Sequence, residues 1–154
     1  MAFDANLVLI DGTVDIDSDA AAGFVAATST TKLDATGAAV IDIKETGFKG
    51  LAAVLIIPKL TSAADYLTAT IQASDEVAFA NVALNLQEVV KFDVAAATLG
   101  RILASECTAG LIVIRRFVTD KRYVRAVITP TKSGGSGSFG LLQILISPYP
   151  LNIL

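Results

Sequence analysis

Apolar and polar positions alternate with a two-residue period over much of this chain, which predicts β-strands and not helices. The clearest case runs from Tyr66 to Ser74. Leu67, Ala69, Ile71 and Ala73 fall on one face, and Thr68, Thr70, Gln72 and Ser74 on the other. Asp75-Glu76 then turns the chain. Leu51 to Ile57 is instead continuously apolar and is stopped by Pro58, the pattern of a strand buried on both faces. Further strand signals lie at Leu7-Val8-Leu9-Ile10, ended by Asp11-Gly12, and at Ala39-Val40-Ile41-Asp42-Ile43, ended before Gly47. Others cover 86–94, 110–119, 122–129 and 139–147. Roughly eight or nine short, closely spaced strands predict an all-β sandwich or barrel. Two alanine-rich stretches, 75–84 and 95–105, allow at most short helices. No repeat or linker interrupts the 154 residues, so a single domain over 1–154 is expected.

The most distinctive stretch is Arg115-Arg116-Phe117-Val118-Thr119-Asp120-Lys121-Arg122-Tyr123-Val124-Arg125. It reads as two strands joined by a very short polar turn at Asp120-Lys121. Its basic residues sit within strands, where fixed charge suits a partner or a neighbouring subunit. The Gly/Ser-rich segment 132–138 reads as a flexible loop at an exposed hairpin tip.

Composition narrows the choices. The chain is 53% hydrophobic, yet its longest apolar run is far shorter than the ~20 residues that span a bilayer. The N-terminus lacks a basic segment and carries Asp4, so no secretory signal is expected. A soluble chain this apolar is expected to hide surface against copies of itself or another protein. A net charge of −3 argues against a general nucleic-acid binder. The charge is also segregated. Asp11, Asp15, Asp17 and Asp19 crowd the N-terminal end, and four arginines fall between Arg115 and Arg125. Such a chain suits subunit-to-subunit contacts, or simply two solvated charged faces.

Catalytic and metal chemistry finds little support. Asp15-Ile16-Asp17-Ser18-Asp19 has the alternating carboxylates of a calcium loop. Ala20 and Ala26 stand where that loop needs glycine and glutamate, so a solvated acidic turn is expected. The glycines at 134–137 lack the lysine of a phosphate loop. There is no histidine, and the single Cys107 reads as a small buried hydrophobe. Asp75 and Glu76 would point to opposite faces of a strand, poor geometry for acid–base work. No enzymatic activity, cofactor or metal is expected. Three tyrosines and no tryptophan weaken a sugar-binding reading. The C-terminal segment 148–154 stands apart as an apolar tail, which must pack on its own domain or on a neighbour.

Several segments in order carry a family resemblance. They are Ser29-Thr30-Thr31-Lys32-Leu33-Asp34, Val54-Leu55-Ile56-Ile57-Pro58, Leu67-Thr68-Ala69-Thr70-Ile71-Gln72-Ala73-Ser74-Asp75, the Arg116 to Arg125 stretch and Ser138-Phe139-Gly140. The chain resembles the capsid cement, or decoration, proteins of tailed bacteriophages that have a jelly-roll fold. The resemblance implies a jelly-roll-like antiparallel β-sandwich and a structural virion protein made in the host cytoplasm. It would bind the outer surface of the major capsid protein lattice, as a homotrimer, and stabilise the head against internal DNA pressure. No direct contact with nucleic acid or membrane is implied. On this reading Arg115, Arg116, Arg122, Tyr123 and Arg125 are candidates for the subunit or capsid interface. Tyr149, Leu151 and Ile153 are candidates for packing on a neighbour. The apolar tail departs from the family pattern. Alternatives are a glycan-binding or other ligand-binding β-module and a tail or head-completion protein.

Overall fold

A computed structural model describes residues 7–12, 16, 32–33, 39–43, 50–58, 66–80, 86–93, 100–131 and 139–148, with the backbone alone for 32–33. These residues form ten strands: β1 (Val8–Asp11), β2 (Lys32–Leu33), β3 (Ala39–Asp42), β4 (Leu51–Ile57), β5 (Tyr66–Ser74), β6 (Gln87–Phe92), β7 (Ile102–Leu103), β8 (Leu111–Phe117), β9 (Tyr123–Thr131) and β10 (Gln143–Pro148). A 3-10 turn, Ala104–Cys107, follows β7.

The strands lie in two antiparallel sheets. One has the order β1-β10-β4-β8; the other has β2-β3-β9-β5-β6, with β7 added to β5. Setting aside the two-residue strands β2 and β7, the eight remaining strands pair first with last, second with seventh, third with sixth and fourth with fifth. That nested pairing is one long antiparallel hairpin rolled into a sandwich, the jelly-roll arrangement.

Burial follows the sequence pattern closely. On β5 the inward residues Leu67, Ala69, Ile71 and Ala73 are fully buried, while Thr68, Thr70 and Gln72 remain half-buried outside. Leu51, Ala53, Leu55 and Ile57 of β4 join the common core with Phe92, Ile128, Ile144 and Ile146. Ala52 and Val54, on the opposite face of β4, are buried as well, so β4 has two buried faces near the middle of its sheet.

Two expected hairpins are absent, and both corrections have one cause. β8 pairs with β4, whereas β9 pairs with β3 and β5, so the arginine-rich strands belong to opposite sheets. A two-residue hairpin turn wants Gly or Asn at positive φ, and Asp120-Lys121 has neither. Residues 118–122 instead carry the chain across the roughly 10 Å between packed sheets. Likewise β9 and β10 lie in different sheets and do not pair; segment 132–138, expected as a hairpin tip, lies outside the described residues. The alternation of apolar residues records that each strand has an inner face. It does not record which sheet the strand joins.

The first stretch flagged for a short helix begins as turns over 75–80. In the second, residues 102–105 form β7 and the start of the 3-10 turn. Beyond the N-terminal strand, Ile16 is pinned between the sheets. Its N–H donates to the Gly140 carbonyl at 3.1 Å, and its carbonyl accepts from Phe139 N–H at 2.7 Å. Both Ile16 and Phe139 are buried in the core.

Candidate interaction surface

The arginines of the predicted interface set split into two groups once the strands are placed. Arg122, just before β9, reaches the neighbouring strand β3. Its Nε and Nη2 both donate to Asp42 Oδ2, at 2.9 and 2.7 Å. Asp42 ends an apolar strand and its side chain is only 3% exposed. The guanidinium supplies the charge and hydrogen bonds that a buried carboxylate requires. Tyr123 stands opposite Asp42 in the register, and the Arg122 guanidinium lies 5.0 Å from its ring centre.

Arg125 is buried on the outer face of the second sheet. Its Nε and Nη2 donate to Gln72 Oε1 of β5 at 3.1 and 2.9 Å, and its guanidinium stacks 4.4 Å from the centre of the Phe79 ring. Phe79 reaches that place because the chain turns back after β5. Glu76 N–H donates to Ser74 Oγ, and Phe79 N–H donates to the Glu76 carbonyl. The turn holds Phe79 at φ 51°, a left-handed conformation that ordinary residues adopt at a cost. Gln72 and Phe79 were not foreseen as partners of Arg125. A lone arginine between Val124 and Ala126 was the available signal.

Arg115 and Arg116 lie on β8. Arg115 Nη2 donates to Asp93 Oδ1 at 2.7 Å and to the Asp93 backbone carbonyl, which ties β8 to the residue after β6 in the other sheet. Arg116 faces the opposite way and is exposed. The crossing at 118–122 is staked on the same side. Thr119 Oγ1 donates to Gln87 Oε1 at 3.3 Å and accepts from Lys121 N–H at 3.1 Å. Lys121 Nζ donates to Asp75 Oδ2 at 2.8 Å, a hydrogen bond that raises the lysine pKa. Tyr149, Leu151 and Ile153 fall outside the described residues.

What the sequence reading missed is the outer side of β8. This strand ends the four-stranded sheet, so one row of its backbone groups has no neighbouring strand within the described residues. Ile112 is 66% exposed, Ile114 39% and Val118, just beyond the strand, 76%. A long apolar edge strand is an adhesive surface that soluble proteins normally cover or charge. The signal was present in the sequence. Ile112 and Ile114 alternate with Val113 and Arg115, so one of the two apolar rows had to lie outside.

The outer face of the second sheet is more polar. Thr68 stands opposite Thr129, Thr70 opposite Val127 and Tyr66 opposite Thr131. Arg101 covers one face of the Tyr66 ring at 4.5 Å. Cys107, the last residue of the 3-10 turn, is buried, and its thiol donates to the Leu103 carbonyl at 3.6 Å. Burial, with the Glu106 carboxylate adding to it, raises the thiol pKa to about 11, which removes the thiolate at neutral pH. No cluster of three or more metal-ligating side chains occurs among the described residues, and no helix among them is long and apolar enough to cross a membrane.

Comparison of the chain with protein-family models, with curated proteins and with solved structures finds no match.

Proposed function

We propose that this protein is a structural virion component of a tailed bacteriophage, a cement protein that binds the outside of the assembled capsid as a homotrimer. The observation that carries this reading is the nested strand order, because a jelly roll is the fold that the sequence resemblance implies. The exposed apolar edge of β8 adds support, since a binding module must leave such a surface uncovered until its partner arrives.

The mechanism is mass action. A protein that binds the assembled lattice, and not the free capsid subunit, stabilises the lattice by the free energy of that binding. Joining three copies raises the effective concentration of the second and third contacts. One internal ion pair and one arginine cluster have a supporting part here. Arg122–Asp42 and Arg125–Gln72–Phe79 stiffen the second sheet, so little ordering cost remains to be met on docking.

The rival reading, a glycan-binding module, would draw on Tyr66 and the threonines beside it. Tyr66 and Tyr123 each turn one ring face to an arginine, which takes away part of the platform that a sugar ring would use. The test is sedimentation with expanded, undecorated tailed-phage capsids. Saturable co-sedimentation and a higher capsid melting temperature are expected. Failure to bind any such shell, with binding to a glycan array, would replace this reading by its rival.

A further inference from the structure

Lys91 and Arg101 differ from the arginines described above. Arg115, Arg122 and Arg125 each hold a side-chain oxygen, of Asp93, Asp42 and Gln72 in turn. Lys91 and Arg101 are exposed, and neither has a hydrogen bond or ion pair with a described residue. The sheet brings the two together. β6 and β7 pair with the same edge of β5, β6 along Ala69–Ala73 and β7 along Tyr66–Leu67, so Thr68 lies at their junction. Lys91 stands opposite Thr70, on one side of the junction, and Arg101 immediately precedes Ile102, on the other. The Lys91 side chain lies against Gly100, where a Cβ would be 1.9 Å from its Cε and 2.7 Å from its Nζ. The ammonium therefore rests on the residue next to Arg101.

Arg101 stacks 4.5 Å from the centre of the Tyr66 ring, which occupies one face of the guanidinium and leaves its in-plane N–H groups for another partner. On this face of the sheet the register puts Glu88 opposite Gln72, and this carboxylate forms no ion pair with either cation. Asp93, two residues after Lys91, is already bonded to Arg115 of β8. That bond also fixes the setting, because it places the cation pair on the flank of the sandwich where β8 leaves Ile112 and Ile114 exposed. An apolar centre with a polar rim is the make-up of a protein-binding surface.

We infer that this flank receives a partner protein that carries acidic side chains beside apolar ones. Its carboxylates meet Lys91 and Arg101, and its apolar groups cover Ile112 and Ile114. This inference rests on the function proposed above and names the face that docks and the chemistry of what it docks on. Charge complementarity selects the occupant. Two cations with no counter-ion among the described residues call for anions, and a stacked guanidinium presents the planar fork that a carboxylate meets with two bonds. An acidic sugar would need the ring face of Tyr66 that Arg101 covers. A nucleic-acid backbone would need a longer row of cations than two, and a chain less acidic than one of net charge −3.

The probe is an oligo-glutamate peptide, titrated into the whole isotope-labelled chain and followed by amide NMR shifts. Wild type is expected to show shifts centred on Lys91, Gly100 and Arg101 that fade in high salt. The double variant Lys91→Gln/Arg101→Gln is expected to lose them. Lys121→Gln removes a positive charge that is already paired with Asp75, and is expected to leave them in place. On undecorated tailed-phage capsids the double variant, checked for folding by circular dichroism, is expected to bind roughly tenfold or more weakly than wild type. Wild-type shifts that are absent, or spread evenly over the cations, overturn the inference, and that map needs no variant. Equal weakening by Lys121→Gln overturns it too, as does tighter binding of a sulfated oligosaccharide at the same amides. The two readings fail separately. A folded double variant that holds capsids as well as wild type sinks the carboxylate site alone, and a wild type that binds the peptide here but no capsid sinks the cement role alone.

Discussion

Arg122 and Asp42 form a fork in which two guanidinium nitrogens share a single carboxylate oxygen, at 2.9 and 2.7 Å, between the adjacent strands β9 and β3. The acid is nearly out of reach of water while the base is 41% exposed. That asymmetry decides the outcome of substitution. Arg122→Ala leaves a buried carboxylate short of its main donor and is expected to cost about 1–3 kcal/mol. Arg122→Lys keeps the charge but cannot supply both bonds, and should recover only part of the loss. Urea unfolding of the three proteins measures both steps.

The Arg125 cluster predicts coupling. Arg125, Gln72 and Phe79 touch through one guanidinium, so their substitutions are not expected to add. A double-mutant cycle of Arg125→Ala and Phe79→Ala should give an interaction energy of about 0.5–2 kcal/mol. Additive losses would mean that the stack contributes nothing.

Cys107 predicts a pH dependence. Its folded pKa is raised from the ordinary 9.0 to about 11, so the unfolded chain loses the thiol proton first. Fewer protons are then bound in the unfolded state, and stability falls as pH rises from about 9 to 11, by roughly 1.4 kcal/mol per unit at most. Below that window the thiol has no effect on the pH profile. Unfolding midpoints at pH 8.5 and 10.5, compared between wild type and Cys107→Ala, isolate this contribution from that of other groups. The wild type is expected to lose more. Ellman's reagent should label the thiol only when the chain unfolds.

Much of this fold was legible in the sequence, and the part that was not has a physical reason. β5 and β4 stand where alternation and unbroken apolarity put them, because side-chain burial is local information. The partnership of β8 with β4 was not legible, since pairing in a sandwich is decided by total burial across the whole core. Arg122 and Arg125, like Arg115, have partners within the chain, for a related reason. Asp42 and Gln72 are distant in sequence from Arg122 and Arg125, and only the register of β9 against β3 and β5 brings them together.

Gly100 offers a test of local geometry. Its φ is +76°, and a Cβ there would meet Lys91 Cε at 1.9 Å. Gly100→Ala is expected to cost about 1–2 kcal/mol from backbone strain. The Lys91 side chain must also move. Adding Lys91→Ala relieves the clash and not the strain, so the double variant should regain only part of the lost melting temperature.

The outer row of β8 predicts an effect on solubility without one on stability. Ile112→Thr/Ile114→Thr keeps β-branched strand formers at exposed positions, and should shift the unfolding free energy by no more than about 0.5 kcal/mol. Dye binding to exposed apolar surface and precipitation on storage should both fall.

The nested pairing has a consequence for synthesis. β10 is the last described strand to leave the ribosome, yet it lies inside its sheet between β1 and β4. Until Gln143 to Pro148 has emerged, β1 has no strand to join and β4 has only β8 beside it. A nascent chain therefore carries the open edge of β1, and once Ile57 is made that of β4 as well, until β10 has emerged. Any truncation before β10 makes that exposure permanent, so such fragments belong to the quality-control machinery and not to the soluble pool.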